Sequence, residues 1–261
     1  MRDKRTIGIG LVGLVVVAAL VVGGLALLSD SLAEDSYTSE YSYDVEVSTN
    51  GTLTNATVLV PVPVADGEVS VAGALEDGDY YARPEAFSSR LVDTDRGPML
   101  EITAAEFVVK PEYYRFVEDG ELGRTERITA AEYDPDDPDM FVRDRDQYEL
   151  QLRIESDDPI ETRDPVGTEP VLEPRADASE TTCLDGTDRC LEYTSVLSAE
   201  YDADPSTEVS IRVTNRGENS WWVGGWSSNW YTDELAVELT GPQADWIAVS
   251  GGLETEQGSY R

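Results

Sequence analysis

Residues 219–231 read NSWWVGGWSSNWY, and this stretch holds four of the five tryptophans in the chain. It lies between two runs of alternating apolar and polar residues, EVSIRVTN at 208–215 and DELAVELT at 233–240. Such alternation is typical of β-strands that bury one face. The adjacent Gly224 and Gly225 predict a bend between the two strands. The stretch therefore connects two strands, and its rings must be either buried in a core or presented to a partner.

Two interpretations of these rings follow. In the preferred one, they fill the C-terminal end of a β-sandwich core. Trp222, Trp226 and Trp230 are spaced by four residues, which could suggest one face of a helix. The glycine pair would interrupt such a helix, so this spacing does not indicate one. In the alternative, the rings form an exposed platform for a sugar, a peptide or a partner protein, since tryptophan and tyrosine combine a flat apolar face with a polar handle. The candidate binding residues are Trp221, Trp222, Trp226, Trp230 and Tyr231.

The same alternation recurs along most of the chain. Tyr41, Tyr43, Val45 and Val47 alternate with polar residues, and so do the apolar residues of QYELQLRIES at 147–156. About ten such short segments are separated by glycine, proline, asparagine and aspartate, whereas no segment has the pattern of a long amphipathic helix. We therefore expect an all-β fold, in particular a β-sandwich of the immunoglobulin type or a related one.

Three short motifs predict turns. Asn50-Gly51 is the strongest local signal for a β-hairpin, and an alternating run follows it. Asp95-Arg96-Gly97 predicts a second hairpin. Asn215-Arg216-Gly217 predicts a further turn at the end of the strand that begins at residue 208.

The N-terminal region predicts a membrane anchor. Residues 7–28 contain no charged side chain, and 22 residues in a helix span about 30 Å, the thickness of the hydrocarbon core. Basic residues precede this segment and none follows until Arg83, which puts the N-terminus in the cytoplasm and the remainder outside the cell. We expect a cytoplasmic tip and retained transmembrane anchor at 1–28. A signal peptide cleaved after Ser31-Leu32-Ala33 is the alternative.

The rest of the chain divides by composition. Residues 29–40 are polar and without periodicity, which predicts a short linker. Residues 41–261 are expected to form one acidic ectodomain. Residues 157–180 are rich in proline and charge, and they are the candidate for a long surface loop or an internal boundary.

The charge of the chain is strongly acidic. Acidic residues outnumber basic ones by 53 to 19, giving a net charge of −34, and 17 of the basic residues are arginine. Such a surface repels itself at ordinary ionic strength and is screened in molar salt. We therefore expect a protein of an extreme halophile. The same surface excludes nucleic acid as a partner, since nucleic acid requires basic patches.

The two cysteines, Cys183 and Cys190, flank a segment that contains the turn-forming pair Asp185-Gly186. Outside the cell a structural disulfide is the expected state. A redox pair more often has the spacing C-x-x-C, and two thiols are too few for a metal site.

Sites for modification or metal are weakly indicated. Asn50 and Asn55 each begin an N-glycosylation sequon, and an extracytoplasmic location would allow its use. The acidic loop EYDPDDPD at 132–139 has oxygen ligands that calcium prefers, but it lacks the spacing of a known calcium loop. We expect no metal site and no cofactor.

Catalytic motifs are absent from the sequence. The chain has no histidine, which excludes catalytic triads based on it. A carboxylate pair such as Glu234 and Glu238 could serve a glycoside hydrolase, but both alternate with apolar residues and are expected to face solvent. We expect a protein that is not an enzyme.

A further indication comes from two segments, TLTNATVLVPVPV at 52–64 and WWVGGWSSNWY at 221–231, the second followed by LTGPQADW at 239–246. Together with the anchor they resemble a group of uncharacterised haloarchaeal membrane-anchored proteins. This resemblance covers the two ends of the ectodomain and implies location and source, but no activity. The expected role is envelope organisation or recognition of a cell-surface protein or glycan. The alternatives are a carboxylate-based carbohydrate-active hydrolase and an accessory subunit of a larger membrane complex.

Overall fold

Sixteen β-strands make up most of the computed structural model, which describes residues 31–83, 87–108, 111–117, 123–143, 146–183 and 189–260. The strands are β1 (Thr38–Thr49), β2 (Leu53–Ala65), β3 (Glu68–Val69), β4 (Tyr81–Arg83), β5 (Ser88–Thr94), β6 (Gly97–Phe107), β7 (Glu112–Val117), β8 (Arg124–Ile128), β9 (Met140–Arg143), β10 (Asp146–Ser156), β11 (Val171–Glu173), β12 (Ala176–Thr182), β13 (Arg189–Asp202), β14 (Glu208–Trp222), β15 (Trp226–Thr240) and β16 (Gln243–Gly258). One short helix, α1 (Ala72–Asp77), and a helical turn at residues 31–35 complete the described secondary structure. The prediction of an all-β fold is confirmed.

The predicted anchor at residues 7–28 lies outside the described residues. Within the described ranges, no helix has the length and apolar character needed to cross a membrane. The polar linker predicted for residues 29–40 includes the helical turn at 31–35 and the first residues of β1, which begins at Thr38.

Thirteen of the strands form one antiparallel sheet. Its main path runs in the order β4-β10-β1-β14-β15-β16-β13-β2-β6-β5, with β3, β11 and β12 paired at its side. The sheet curls so that distant strands face each other. The hydroxyl of Tyr43 on β1 donates to the carbonyl of Pro61 on β2 at 2.7 Å, and the hydroxyls of Ser89 on β5 and Tyr148 on β10 lie 2.5 Å apart. The two ends of the path therefore meet across one interior.

The interior is filled by alternate residues of these strands, as period-two patterning requires. On β14, Val209, Ile211 and Val213 are buried as predicted. The corresponding side chains of β1 and β10 are also buried: Tyr43, Val45, Val47, Tyr148, Leu150 and Leu152. These residues belong to a single apolar cluster that also includes side chains from β2, β6 and β13.

The predicted hairpin at Asn50-Gly51 is wrong. β1 pairs with β10 and β14, whereas β2 pairs with β3, β6, β11 and β13. The Asn50-Gly51 turn therefore carries the chain across the interior from one half of the sheet to the other. Its geometry is fixed by the start of β14, because the Glu208 amide donates to Asn50 Oδ1 at 2.8 Å. Turn chemistry alone does not distinguish this crossing from a hairpin.

The remaining two turn predictions have opposite outcomes. The hairpin at Asp95-Arg96-Gly97 is confirmed, because β5 and β6 pair from Thr94 and Gly97 onward. The turn predicted at Asn215-Arg216-Gly217 is wrong, because β14 continues straight through these residues to Trp222. The disulfide between Cys183 and Cys190 is confirmed; it joins the chain after β12 to β13.

Residues 157–175, named here the inner loop, lie against the concave side of β14 and β15. The segment predicted as a long surface loop or an internal boundary covers residues 157–180. The inner loop makes up most of it and is packed against the sheet. Ile160, Thr162 and Leu172 are all buried. Ile160 packs with Tyr193, Tyr231 and Leu253 in a second, smaller apolar cluster.

A separate three-stranded sheet, in the order β8-β7-β9, is named here the small sheet. Its strands pair only with one another among the described strands. It carries several aromatic side chains, including the stacked pair Tyr114 and Phe141, whose ring centroids are 5.5 Å apart.

Candidate functional site: the aromatic hairpin tip

The tryptophan stretch forms the end of the long β14–β15 hairpin. The two strands pair continuously from Glu208 opposite Thr240 to Trp222 opposite Trp226. The predicted bend at Gly224-Gly225 is confirmed. Gly224 has φ of +88°, a backbone conformation that side chains with a Cβ rarely adopt. The Val223 amide donates to the Gly225 carbonyl at 3.0 Å and closes the turn.

The alternation of strand faces divides the five predicted binding residues between interior and surface. Trp221 and Tyr231 point inward and are buried. Trp230 is half-buried and lies beneath the Arg216 guanidinium, which is 4.5 Å from the ring centroid. Trp222 and Trp226 are exposed, Trp226 by 72%. The stretch is therefore buried in part and exposed in part, and binding at any of the five residues stays a prediction.

The exposed part is compact and is named here the hairpin tip. It consists of Trp222, Val223, Gly224, Gly225 and Trp226, all exposed at one end of the sheet. No residue from 219 to 231 carries a charge, in a chain of which 28% is charged. The tip is thus an apolar, uncharged projection on a strongly acidic protein.

The hairpin tip is tied to the N-terminal end of the described chain. Ser36 Oγ accepts a hydrogen bond from the Trp222 amide at 2.9 Å. The rings of Tyr37 and Trp221 are stacked with centroids 6.0 Å apart, and β1 pairs with β14 from Thr38 opposite Ser220. On the neighbouring helical turn, Leu32 is 45% exposed. The tip and the point at which the chain enters the domain are therefore at the same end.

Beneath the tip, buried asparagines hold the inner loop on the sheet. Asn219 accepts from the Ile160 amide at 2.9 Å and donates to the Ile160 carbonyl at 2.8 Å. Its side chain also donates to Asn229 Oδ1, which in turn accepts from the Thr162 hydroxyl. A buried polar group costs little when it is hydrogen-bonded in this way. The network gives the hairpin a rigid base, so the tip is presented on a fixed support.

Further along the hairpin, Asp233 is fully buried and is the centre of a charged cluster. It accepts hydrogen bonds from the Tyr193 hydroxyl at 2.6 Å and the Leu172 amide at 2.8 Å, and it forms an ion pair with Arg175. Arg175 also lies over the Tyr193 ring, 4.1 Å from its centroid. Within the described part of the chain, Arg175 Nε and Nη1 have no hydrogen-bond partner.

Burial dominates the titration of this cluster. Desolvation raises the pKa of the Asp233 carboxyl, and the contacts with Arg175, Tyr193 and the Leu172 amide offset part of that rise. The pKa of the Tyr193 hydroxyl is also raised, first by burial and then by the neighbouring Asp233. A raised carboxyl pKa occurs in active sites, but the structure shows no opening at this cluster: Asp233 is 0% exposed and Tyr193 is 3% exposed. We therefore assign it a structural role.

The candidate catalytic carboxylates lie elsewhere, on the surface. Glu234 accepts from exposed Arg212 at 2.7 Å, and Glu238 is exposed. The Glu234 side chain is 41% exposed and Glu238 is exposed, whereas the general acid of a glycoside hydrolase sits in an apolar pocket. In the loop at 132–139, Asp134 and Asp137 accept hydrogen bonds from the amides of Asp136 and Asp139. Over the described residues, no group of three or more acidic or cysteine side chains could hold a metal ion.

The two sequon asparagines are both exposed and both make side-chain contacts. Asn50 Nδ2 donates to Glu208 Oε2 and Asn55 Nδ2 donates to Asp202 Oδ2, each at 3.2 Å. Asn55 has φ of +52°, in the left-handed region that asparagine tolerates. Glycosylation at either position stays a prediction, and it would replace one of these surface contacts.

The small sheet is a surface that sequence reasoning missed. Phe116, Phe141 and Val142 are each about two-fifths exposed there. Their strands are short and separated by charged loops, so no long alternating run marks them in the sequence. The signal present in the sequence is the aromatic run EYYRFV at 112–117, whose pattern fits either a strand or a short helix.

Comparison of the chain with protein-family models, with curated proteins and with solved structures finds no match in any of the three.

Proposed function

We propose that the chain is a single-pass membrane protein of a halophile whose β-sandwich ectodomain has a non-enzymatic role in contact with a partner at the cell surface. The observation that carries the proposal is the hairpin tip, where Trp222, Val223 and Trp226 are exposed at the end of a continuously paired hairpin with a hydrogen-bonded base. Exposed aromatic side chains on a fixed backbone lose little conformational entropy on binding, so they suit recognition.

The location rests on the sequence of residues 1–28. Their uninterrupted apolar segment, preceded by basic residues, is that of a signal anchor with the C-terminal domain outside. The confirmed disulfide between Cys183 and Cys190 supports this, because disulfides persist outside the cytoplasm. The net charge of −34 supports a halophilic source.

The architecture and the carboxylates support the rest of the proposal. We infer that the two facing halves of the curled sheet are the layers of a β-sandwich, of the immunoglobulin type or a related one. Glu234 and Glu238 lie on the surface rather than in an apolar pocket, which favours a non-enzymatic role.

Site-specific photo-crosslinking on intact cells in molar salt tests the proposal. A photoreactive residue in place of Val223, at the hairpin tip, is compared with one in place of Val166 in the inner loop. The two valines are matched in exposure, at 40% and 45%. We expect reproducible adducts from position 223 and few from position 166. Equal yields, or none at either position, would remove the support for a recognition role of the tip.

A second candidate is an accessory subunit of a larger membrane complex. The exposed Phe116 and Phe141 of the small sheet favour it, because aromatic side chains are enriched at protein–protein contacts. Under this hypothesis Phe116→Ser with Phe141→Ser separates the chain from its complex in mild detergent, whereas Trp226→Ser does not. Migration as a single chain for the unmodified protein would argue against the subunit hypothesis.

A further inference from the structure

The hairpin tip has the composition of a protein surface that meets the lipid–water interface. Its exposed side chains are two tryptophans and a valine, and exposed Leu32 lies on the adjacent helical turn. Tryptophan prefers the headgroup level of a bilayer, because its ring is apolar and its indole N–H can reach water or lipid oxygens. The nearest charged position on β14, Glu218, is four residues from Trp222, which places it about 13 Å back along the strand.

The end of the apolar N-terminal segment must lie close to this tip. The Ser36 hydroxyl accepts a hydrogen bond from the Trp222 amide, and Ser36 follows Leu28 by only eight positions in the sequence. Eight residues span about 12 Å as a helix and at most about 28 Å when extended. Residues 31–35 of this connection are helical, which shortens it further. The tip is therefore within a short distance of the point at which the anchor would leave the bilayer.

We infer that the hairpin tip docks into the headgroup region of the membrane that holds the anchor, with Trp222 and Trp226 as its interfacial contacts. This inference rests on the proposed function, since it takes residues 7–28 to be the anchor and names lipid as the partner of the tip. Two tryptophans bind a bilayer weakly from solution, but the tether keeps them at a high local concentration beside it. The contact fixes the tilt of the domain, with the long β14–β15 hairpin pointing away from the membrane.

Because of the charges beside the tip, the contact with the membrane should become stronger as salt is added. Glu34 and Asp35 are exposed on the helical turn beside the tip. An anionic headgroup layer repels these carboxylates at low ionic strength, and molar salt screens the repulsion. The docking should therefore strengthen as salt is added, whereas binding through basic residues weakens.

Tryptophan fluorescence offers a direct test, because residues 1–30 contain no tryptophan and all five lie between 221 and 246. The full chain is reconstituted in vesicles of phosphatidylcholine and anionic phosphatidylglycerol in 2 M NaCl, with and without lipids brominated near the headgroup end of the acyl chain. We expect bromine to quench a large part of the emission. Trp226→Phe should reduce the absolute loss of emission by about half, because one of the two interfacial rings is removed.

Trp246 provides the matched control. It lies level with the far end of β15, about fourteen residues or roughly 45 Å from the tip along the strands. Trp246→Phe should leave the absolute loss of emission unchanged. Trp226→Ser removes the apolar contact as well as the fluorophore, and it should also reduce the quenching of Trp222.

The experiment distinguishes a failure of the lipid contact from a failure of the membrane anchor. If the chain stays with the vesicles after an alkaline carbonate wash but shows no bromolipid quenching, the lipid contact is wrong and the anchor stands. The tip would then be free for a protein or glycan. If the wash releases the chain, the anchor and the proposed function are both wrong. Equal effects of Trp226→Phe and Trp246→Phe would overturn docking through the tip.

Discussion

The Tyr193 hydroxyl donates a hydrogen bond to Asp233 Oδ1 over 2.6 Å, at a place where neither side chain reaches solvent. Arg175 completes the cluster through its ion pair with the other carboxylate oxygen. The three residues come from β13, β15 and the end of the inner loop, so the cluster fastens that loop to the sheet.

Removing the charge of Asp233 should therefore be severe. Asp233→Leu leaves the Arg175 guanidinium buried without a counterion, and we expect a loss of about 3–5 kcal/mol in the free energy of unfolding. Asp233→Leu combined with Arg175→Met removes both charges and should recover most of that loss. Urea unfolding in 2 M NaCl measures both. A double variant no more stable than Asp233→Leu would show that the cluster contributes more than charge pairing.

Two buried tyrosines differ in whether their hydroxyls are bonded. Tyr43 donates to the Pro61 carbonyl at 2.7 Å, whereas the Tyr201 hydroxyl has no partner among the described residues. An unsatisfied buried hydroxyl opposes folding, so Tyr201→Phe should leave stability unchanged or raise it by up to about 1 kcal/mol. Tyr43→Phe should lower it by about 1 kcal/mol. Urea midpoints that place the two variants in the opposite order would contradict these assignments.

Alkaline pH should unfold the domain through its buried tyrosines. Burial raises the pKa of Tyr148 and of Tyr201 to about 12 in the folded protein, against about 10 in the unfolded chain. Ionisation of these hydroxyls leaves stability unaffected below pH 10, where both states are protonated, and it lowers stability progressively as the pH rises from 10 towards 12. The loss is about 1.4 kcal/mol per pH unit for each tyrosine in that window.

Urea unfolding at pH 9, 10 and 11 measures this slope. Between pH 10 and 11, Tyr201→Phe should reduce this slope by the contribution of one tyrosine, about 1.4 kcal/mol per pH unit. An identical slope in the variant between pH 10 and 11 would mean that Tyr201 ionises equally in both states.

A glycine on β16 makes room for the Tyr193 ring. A Cβ on Gly251 would lie 2.2 Å from Tyr193 Cζ, and the ring cannot move aside without breaking its bond to Asp233. Gly251→Ala should therefore cost about 1–3 kcal/mol. The neighbouring Gly252 is the control, because a Cβ there meets nothing within 4 Å. Gly252→Ala should be neutral or stabilising, since glycine weakens a strand interior. Thermal unfolding that ranks the two variants equally would refute the close packing.

Three facing glutamates on the surface should make the folding stability depend on salt. Glu155, Glu40 and Glu218 lie directly opposite one another on β10, β1 and β14, and like charges in such positions repel. Glu40 and Glu218 each have an arginine partner. Glu155→Gln should therefore raise stability by a few tenths of a kcal/mol in 0.15 M NaCl and have no effect in 2 M NaCl.

The contrasting substitution is Glu101→Gln, which removes the ion pair with Arg90 and should not stabilise at low salt. A gain for Glu155→Gln that persists in 2 M NaCl would exclude charge repulsion as its cause.

Local patterning predicted the strands well, because burial of one face imposes a period of two on the sequence. The buried face of β14, with Val209, Ile211 and Val213, follows from this period, whereas the disulfide follows from the cysteine spacing and the bend from the adjacent Gly224 and Gly225. The partners of each strand were not predictable by the same means. Asn50-Gly51 has the composition of a hairpin turn, but its position is set by contact with Glu208, which is distant in sequence.

The error at residues 215–217 has a different physical cause. Asn215 and Gly217 are typical of turns, yet here they serve the interior of a strand. Asn215 donates to the Pro170 carbonyl at 2.8 Å, and a Cβ on Gly217 would lie 2.4 Å from the Tyr231 ring. Both roles depend on residues that reach the site only in the folded protein. The division of the tryptophans between interior and surface depends likewise on which strand face each one occupies.

The position of β1 also determines how the domain responds to force. The chain enters the domain at the start of β1, and this strand is hydrogen-bonded along both edges, to β10 and to β14. The inter-strand bonds of an antiparallel pair run perpendicular to the strand axis. When the domain is loaded between the start of β1 and the opposite end of the sheet, the bonds along both edges of β1 are in shear. They then share the load instead of breaking one after another.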